Sequence, residues 1–367
     1  MTDQELLYLL ALQNVPNIGD ITAKKLINHC GSAKAVFEER QGNLMKIDGI
    51  GSVTIKQLYY KDHLLASEKE LHFIKENGIK CLYFKDDLYP EKLKHCIDGP
   101  IVLFQAGNIN VKQQRIISIV GTRKITTYGV AFCEKLVEQL SAFNPVIVSG
   151  FAYGTDITAQ KAALKHNLQT IGCLAHGLNQ IYPASHKKYM ADIEKNGGFV
   201  TDFWSTSNPD RENFLKRNRI IAGMSEATIV IESAERGGSL VTADIANSYN
   251  REVFAVPGRA VDPQSAGCNN LIKYQKAHLL SDPMDVPYIL NWELVESKKQ
   301  PVQKQLFVEL EGDEKAIYQY LKANDKQLMD TIALECRIPI FRLAGILLNM
   351  ELKGVLRPLP GKTFEAI

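Results

Sequence analysis

The sequence is poor in the residue patterns that mark disulfide, metal and membrane proteins. Its 367 residues include seven cysteines, an odd number, and no two of them form a CxxC pair. A disulfide framework and a zinc site are therefore excluded, and a reducing compartment is expected. No apolar run approaches the ~18 residues that a membrane span requires, and the residues after Met1 are acidic, unlike those of a signal peptide. The sequence thus predicts a cytoplasmic protein without a membrane segment.

Nucleotide and hydrolase signatures are absent as well. There is no G-x-G-x-x-G motif and no G-x-x-x-x-G-K-[ST] loop, so neither a pyrophosphate clamp nor hydrolysis by a P-loop is supported. The eight histidines show no metal-ligand spacing, and Ser149 and Ser239 do not lie in a G-x-S-x-G elbow. We therefore expect no cofactor, no metal and no catalytic nucleophile with an evident base.

Charge is distributed unevenly along a chain whose net charge is only +2. Residues 1–80 hold ten basic and ten acidic side chains, and residues 301–367 hold nine of each, so the basic excess lies between them. Within this middle part, the stretch 211–219 holds four cations and one carboxylate. Such crowding favours a bound polyanion, because guanidinium forks and an ammonium group suit phosphate oxygens.

Phe214 lies inside this basic stretch. An aromatic ring among phosphate-binding cations gives unpaired bases a face to stack on, worth ~1–3 kcal/mol per base in single-strand binders. The alternative is a solvated helix start with Phe214 packed into the core. The other features of the middle part favour nucleic-acid binding over this alternative.

Short apolar runs alternate with helical segments through the middle of the chain. This alternation predicts a doubly wound, mostly parallel sheet with helices on both faces. In such sheets, ligands bind beyond the carboxyl ends of the strands, at a switch point. Glycine turns there expose amides that favour an anion. The sequence predicts a phosphate-binding rim, formed by the turns at 121–123, 149–154, 177, 237–239 and 257–258.

The first 80 residues are predicted to form a small helical domain. Two segments, 15–26 and 47–58, resemble each other, and each places an Ile-Gly turn before a helix. This pattern is typical of a helix-hairpin-helix (SAM-like) unit, whose glycine lets main-chain amides approach a phosphate. An αα-hairpin whose glycines serve the turn alone is equally supported.

The end of the chain is predicted to be a separate small domain. Residues 291–305 are polar and rich in lysine around 297–301, which indicates a linker, predicted to span 291–312. Residues 313–367 are predicted to form three helices and a hairpin, a winged-helix-like domain. Its third helix carries Leu343, Ile346, Leu347, Leu348 and Met350 among other apolar residues, with Arg342 and Lys353 as its only cations. Core packing or a protein-binding face is therefore favoured over insertion into a duplex major groove.

Seven motifs follow one another through the middle of the chain. They lie at 119–123, 148–156, 177–183, 213–223, 238–243, 251–258 and 267–272. Together they resemble the DNA-processing protein A (DprA/Smf) family of bacteria. The resemblance implies an extended Rossmann-like domain at 81–290 that binds and protects single-stranded DNA. It also implies loading of the RecA recombinase in natural transformation and homologous recombination, with no enzyme activity.

The resemblance also implies which residues of this chain bind DNA and which proteins are its partners. Arg123 matches the DNA-binding arginine of the family, and the basic stretch matches its basic, aromatic-containing motif. The protein partners that it implies are RecA, single-strand binding protein and a second copy of the chain in a homodimer. The expected DNA-binding residues are Gly121, Thr122, Arg123, Gly150, Arg211, Phe214, Lys216, Arg217, Asn218, Arg219, Gly238 and Ser239.

The chain departs from the family pattern at three places. Thr155 replaces an expected isoleucine between Gly154 and Asp156, and Gln160 replaces an expected histidine after Ala159. Lys216 stands where a neutral residue is expected. A nucleotide-acting enzyme of related fold, such as a nucleoside-monophosphate hydrolase, is the second hypothesis for function. The acids that would serve it are Asp156, Asp202, Glu232 and Asp244, although capping and arginine pairing are the commoner roles for acids at strand ends.

Overall fold

The computed structural model describes residues 1–60, 62–112, 115–293, 310–359 and 362–367. They fall into two compact units, Met1–Val295 and Glu296–Ile367. The helical segment predicted for residues 1–80 belongs to the same unit as the sheet. The domain boundaries predicted at residues 80, 290 and 312 stay predictions. In the described residues, no helix is both long and apolar enough to cross a membrane.

The first unit begins with six helices. Thr2 and Glu5 form a capping box at the start of the first helix. The Thr2 hydroxyl accepts a hydrogen bond from the Glu5 amide, and the Glu5 carboxylate accepts one from the Thr2 amide. Two of the helices begin after Gly19 and Gly51, as the repeated Ile-Gly turns predict. The six helices are α1 (Asp3–Gln13), α2 (Asp20–Cys30), α3 (Ala33–Glu38), α4 (Gln41–Leu44), α5 (Ser52–Leu58) and α6 (Asp62–Glu76).

A nine-stranded sheet forms the centre of this unit in the described residues. Its order is β1-β2-β6-β5-β4-β3-β7-β8-β9, with antiparallel pairing of β1, β2 and β6 and parallel pairing elsewhere. The mostly parallel doubly wound sheet is therefore confirmed. The strands are β1 (Lys80–Tyr83), β2 (Val102–Gly107), β3 (Ile116–Val120), β4 (Val146–Ser149), β5 (Thr170–Cys173), β6 (Gly197–Thr201), β7 (Ala227–Val230), β8 (Glu252–Ala255) and β9 (His278–Leu279).

Helices cover both faces of the sheet. The central strand β3 is fully buried: Ile116 and Val120 pack into the core on one face, and Ile117 and Ile119 into the core on the other. This period of two explains why the strand is a continuous apolar run. The helices of this region are α7 (Glu91–Lys94), α8 (Thr127–Leu140), α9 (Thr155–Lys165), α10 (Lys187–Lys195), α11 (Arg211–Met224), α12 (Gly238–Ser248), α13 (Ala266–Lys273) and α14 (Asp285–Ile289), with short 3-10 turns at Ser141–Phe143 and Ala184–His186.

The strand order reverses between β3 and β7. The chain runs from β3 through β4 and β5 to β6 in one direction, then crosses by α11 to β7 and continues to β8 and β9 in the other. The connections leaving β3 and β7 therefore separate, and a crevice opens beyond the carboxyl ends of these two strands.

The second unit is a small winged-helix fold. Buried apolar side chains on all three helices share one core, with Ile317, Ile332 and Leu347 among its members. In the described residues, a three-stranded sheet of order β10-β12-β11 forms the wing. The hairpin of β11 and β12 was predicted, whereas β10 was not. The elements of this unit are α15 (Gly312–Asn324), β10 (Gln327–Leu328), α16 (Met329–Glu335), α17 (Ile340–Leu352), β11 (Leu356–Leu359) and β12 (Thr363–Ala366).

Candidate nucleic-acid interface

A cleft of about 890 Å³ lies at the switch point of the sheet. One wall is the turn after β3, and the opposite wall is the loop after β7 with the first turns of α12. Helix α11 forms a third side with its N-terminal half. Most of the sequence motifs singled out above meet here, because parallel strands present their carboxyl ends at one edge.

The basic stretch lies on α11, and its side chains point in different directions and contact different parts of the structure. Arg211, Phe214 and Asn218 line the cleft, since residues three and four apart share one face of α11. Lys216 is exposed and does not line the cleft. The Asp210 side chain caps the helix by accepting from the Asn213 amide at 2.8 Å, which fixes the position of this face.

Arg217 forms part of the floor of the cleft and is 4% exposed. Its Nη1 donates to the carbonyl of Gly150 at 2.8 Å and to that of Cys173, at the ends of β4 and β5. Burial lowers the pKa of Arg217, and the neighbouring Asp156 opposes this shift. An arginine remains cationic under such conditions. Arg217 therefore joins two strands and adds a fixed positive charge beneath the cleft.

Arg219 does not line the cleft, contrary to its expected role in binding DNA. Its guanidinium pairs with Asp20 of α2 at 3.0 Å and with Asp202, which follows β6. Burial by itself would lower the pKa of Arg219, but Asp202, Asp20 and further acidic groups around it together raise that pKa. The crowding of cations that indicated a polyanion is thus relieved here by internal acids, and Arg219 ties the helical segment to the sheet.

The turn that carries Arg123 is held on two sides. The Thr122 amide donates to the carbonyl of Glu232 at 2.8 Å, and the Thr122 carbonyl accepts from the Thr155 amide at 3.1 Å. Gly154 allows this second approach: its φ is +75°, and a side chain there would meet the backbone of Thr122 and Arg123. The turn is therefore preformed, with the side chain of Arg123 exposed at its tip.

Arg123 and Phe214 contact each other across the cleft. The guanidinium carbon of Arg123 lies 4.8 Å from the centre of the Phe214 ring, a cation–π contact. Tyr182 approaches the same ring with centroids 5.7 Å apart and planes inclined by 58°. Phe214 is only half-buried, so its ring is a cleft surface and not a core residue.

The wall formed by the start of α12 has features that favour a bound anion. Helix α12 begins at Gly238, and no side chain caps its N-terminus. Its first amides and the helix dipole therefore favour negative charge at the cleft. The Ser239 hydroxyl donates to that of Ser233 at 3.0 Å, and Asn218 donates to the Gly238 carbonyl at 3.4 Å. These bonds fix α12 against α11 and the end of β7.

The predicted rim of five glycine turns is only partly correct. Gly121, Thr122, Gly238 and Ser239 line the cleft, as expected. Three other turns use glycine for close packing, because a side chain would collide with neighbouring groups. Those groups are Asp156 and Arg217 at Gly150, the Trp204 carbonyl at Gly177 and the Ser265 side chain at Gly258. Gly150 contributes its carbonyl to Arg217 and does not line the cleft.

Arg236 and Tyr182 line the cleft, although they were not among the expected DNA-binding residues. Arg236 lines the cleft from the loop after β7, and its place just before the Gly237-Gly238 turn is a signal that the sequence offers. Tyr182 comes from a long loop after β5 and belongs to the 177–183 motif. Within the described residues, no carboxylate lies at ion-pair distance from Arg123, Arg211 or Arg236. Their charges are available to a ligand.

The candidate acids are mostly engaged elsewhere. Asp202 pairs with Arg219, Glu232 accepts from Thr126, and Asp244 pairs with Lys276 on the surface. Asp156 lines the cleft floor, where burial raises its pKa and the Arg217 guanidinium opposes that rise. In the part of the chain that the structure describes, no cluster of three His, Cys, Asp or Glu side chains is arranged to hold a metal.

Two family models match this chain. Residues 80–291 match the model of DNA recombination-mediator protein A, and residues 303–362 match that of the DprA winged helix domain. The first match contains every residue of the cleft. The second covers the helices and strand β11 of the winged-helix unit and ends just before β12.

Individual relatives agree with these matches. Protein Smf of Escherichia coli K12 is 33% identical over 298 residues, which cover 80% of this chain and 79% of the relative. The crystal structure of DprA from Streptococcus pneumoniae matches with a TM-score of 0.66 at 29% identity, covering 80% of this chain and 99% of that one. DNA processing protein A from Helicobacter pylori, described for its unique single-stranded DNA binding mode, matches with a TM-score of 0.53 at 27% identity, covering 59% and 97%.

Proposed function

Since this chain belongs to the DNA recombination-mediator protein A family, we propose that it binds single-stranded DNA in the cleft at the switch point and leaves the strand intact. One observation carries the proposal. A single cavity brings together the guanidinium groups of Arg123, Arg211 and Arg236, the uncapped start of α12 and the ring of Phe214. This combination fits a phosphodiester backbone with unpaired bases.

The phosphates would bind between two walls of the cleft. Arg123 on the β3 side and Arg236 on the β7 side are both exposed and can form forked hydrogen bonds with phosphate oxygens. The first amides of α12 supply further donors beside Arg236. The buried Arg217 adds positive potential without direct contact. Lys216, outside the cleft, would act only on a strand that continues along α11.

A base would stack at Phe214. In the free protein, Arg123 covers the ring at 4.8 Å, which keeps an exposed aromatic face partly shielded from water. An incoming base replaces this cation–π contact as the guanidinium turns to a phosphate. The ring of Tyr182 contacts the ring of Phe214 and extends the aromatic surface of the cleft. Stacking of this kind does not depend on base identity, so we expect little sequence preference.

We further propose that the bound strand is protected and passed to the RecA recombinase in natural transformation and homologous recombination. Family membership supports this step, and single-strand binding protein and a second copy of this chain are the other partners that we propose. The direct test is filament formation by RecA on DNA coated with single-strand binding protein. The wild-type chain should accelerate filament formation, and an Arg123→Ala chain should not.

A length series of oligonucleotides tests the proposed ligand. Affinity for oligo(dT) should rise with length until the cleft is filled, because each added phosphate contact contributes. The second candidate is a nucleotide-acting enzyme, which Asp156 on the cleft floor would serve. That function requires saturation by a mononucleotide together with turnover. Mononucleotide turnover that an Asp156→Asn variant abolishes, without length-dependent binding, would reject our proposal.

A further inference from the structure

A second basic surface lies beside the cleft, on helices α9 and α10. Residues 151–191 hold a single carboxylate, that of Asp156, and four lysines, which are Lys161, Lys165, Lys187 and Lys188. All four lysines are exposed, whereas Asp156 is buried in the cleft floor. The surface therefore has an excess of positive charge, in a chain whose net charge is only +2.

Internal carboxylates do not neutralise these lysines. Within the described residues, none of the four forms an ion pair. Asp192, which follows Lys188 by four residues on α10, pairs with Lys195 at 2.8 Å. Lys161 and Lys188 both lie over the ring of Tyr189, at 5.9 and 5.1 Å from its centre. Two ammonium groups near one ring repel each other, and a bound anion would relieve this repulsion.

Aromatic side chains lie among these lysines. The ring of Tyr153 is 48% exposed and contacts the ring of His186, with centroids 5.0 Å apart. The His186 ring in turn lies 6.2 Å from that of Tyr189. The Ser185 hydroxyl donates to the Tyr153 hydroxyl at 3.1 Å, which fixes the position of the exposed ring. Tyr153 thus offers a positioned face on which an unpaired base can stack.

This surface is continuous with the cleft along two segments of the chain. Tyr153 directly follows Ala152, which lines the cleft. Tyr182 also lines the cleft and precedes Ser185 by three residues, so at most about 11 Å separates their Cα atoms. Because Ser185 contacts Tyr153, both segments bring the exposed ring close to the cleft.

Single-stranded DNA fits this surface better than an acidic protein segment or duplex DNA. A single strand alternates phosphates with unpaired bases, and the surface places ammonium groups beside aromatic rings. An acidic segment would use the lysines but has no flat ring to cover Tyr153. In a duplex the bases are already stacked on one another, so they cannot stack on Tyr153. Continuity with the cleft also allows one strand to occupy both surfaces.

We propose that the strand bound in the cleft continues over Tyr153 and along the lysines of α9 and α10. This inference rests on the function proposed above, because it extends the ligand of the cleft. We call the residues Tyr153, Lys161, Lys187 and Lys188 the exit surface. A base stacks on Tyr153, and phosphates bind to the three ammonium groups. The exit surface therefore lengthens the bound strand beyond the part that the cleft covers.

The test is a length series of oligo(dT) bound to the full-length chain, measured by fluorescence anisotropy at several salt concentrations. Wild-type affinity should rise in two stages, first as the cleft fills and then as the strand reaches the exit surface. A double variant, Lys187→Gln with Lys188→Gln, should lose only the second stage. For long oligonucleotides its salt slope should be shallower by about 1.4, since two phosphate contacts are lost. Tyr153→Leu should weaken binding of long oligonucleotides about fivefold or more.

A matched control removes the same charge elsewhere. The double variant Lys135→Gln with Lys273→Gln alters exposed positions on α8 and α13, and should bind as the wild type does at every length. Arg123→Ala, by contrast, should weaken binding of short and long oligonucleotides alike. Failure of the cleft is therefore distinguishable from failure of the exit surface.

Two results would overturn the inference. The first is wild-type affinity and salt slope for long oligonucleotides in both the lysine double variant and Tyr153→Leu, which would leave the function proposed for the cleft intact. The second is weaker binding of polyglutamate by the lysine double variant while Tyr153→Leu binds long oligonucleotides normally. That result would assign the lysines to an acidic protein segment.

Discussion

Glu232 fixes the position of Thr126 through both oxygens of its carboxylate. One oxygen accepts from the Thr126 amide at 2.8 Å, and the other accepts from the Thr126 hydroxyl. The Glu232 carbonyl also accepts from the Thr122 amide at 2.8 Å. Both ends of the turn that presents Arg123 are thus attached to the end of β7. We infer that Glu232 positions Arg123 without contacting the ligand.

Glu232→Gln should weaken DNA binding more than its effect on folding explains. The amide keeps the volume of the carboxylate but accepts only one of the two bonds from Thr126, so the turn is less well fixed. We expect about tenfold weaker binding of oligo(dT) from lost preorganisation, measured by fluorescence anisotropy. The free energy of unfolding should fall by about 1–2 kcal/mol. Asp244→Asn, which alters a surface carboxylate on α12, serves as the matched control.

Phe214 should contribute to binding through its ring and not through its bulk. Phe214→Leu keeps an apolar side chain but removes the stacking surface, and should cost about 1–3 kcal/mol of binding free energy. Phe214→Trp should retain or increase affinity. Because Arg123 rests on this ring, the effects of Arg123→Ala and Phe214→Leu should be non-additive in a double-mutant cycle. Strict additivity would show that the two side chains act separately.

Replacing Arg219 by methionine should lower stability but not DNA affinity, whereas replacing Arg211 by methionine should lower DNA affinity but not stability. Arg219→Met leaves the carboxylates of Asp20 and Asp202 without their cation, and should destabilise the fold by about 3–5 kcal/mol. The remaining folded protein should bind oligo(dT) normally. Arg211→Met should leave stability within about 0.5 kcal/mol and reduce affinity. Chemical denaturation and anisotropy on both variants check this, and a loss of affinity specific to Arg219→Met would restore its predicted DNA contact.

Stability should decrease on mild acidification because of His176. This side chain is 1% exposed at the end of β5, and burial lowers its pKa below the ordinary value. The unfolded chain therefore binds the proton more tightly than the folded one. The stabilisation by the neutral ring is full above about pH 6.5, and it is lost as pH falls from there through the folded-state pKa. Denaturation midpoints at pH 7.5 and 5.5 measure the effect, and His176→Gln should reduce the difference.

The alternating pattern of strands and helices was sufficient to predict the sheet and the location of the cleft. Strand β3 illustrates why: a parallel strand buried on both faces must be apolar throughout, and such a run is easily recognised. The turn at 121–123 and the start of α12 could be placed at the cleft by the same reasoning. The strand order itself, which puts β7 beside β3, depends on tertiary pairing that no local pattern encodes.

The basic stretch shows where sequence reasoning fell short. Counting cations treats Arg211, Lys216 and Arg219 as equivalent, whereas the helix directs them to three different surroundings. The partners of Arg219 are Asp20 and Asp202, which are distant in sequence, so the ion pairs could not be anticipated. Applying the spacing of three and four residues from Phe214 would have selected Arg211 and Asn218. Tyr182 belongs to the 177–183 motif, but its place in the cleft could not be predicted, because its long loop is positioned only by the folded structure.

The most direct test of the account is the salt dependence of oligo(dT) binding by the wild type and two arginine variants. For single strands, log K falls with log salt by about 0.7 per neutralised phosphate. Arg123→Ala and Arg236→Ala should each weaken binding and each make this slope shallower by about 0.7. Arg40→Ala removes an exposed arginine that does not line the cleft and should leave the slope unchanged. Equal slopes and equal affinities for all four proteins would contradict binding of DNA in the cleft.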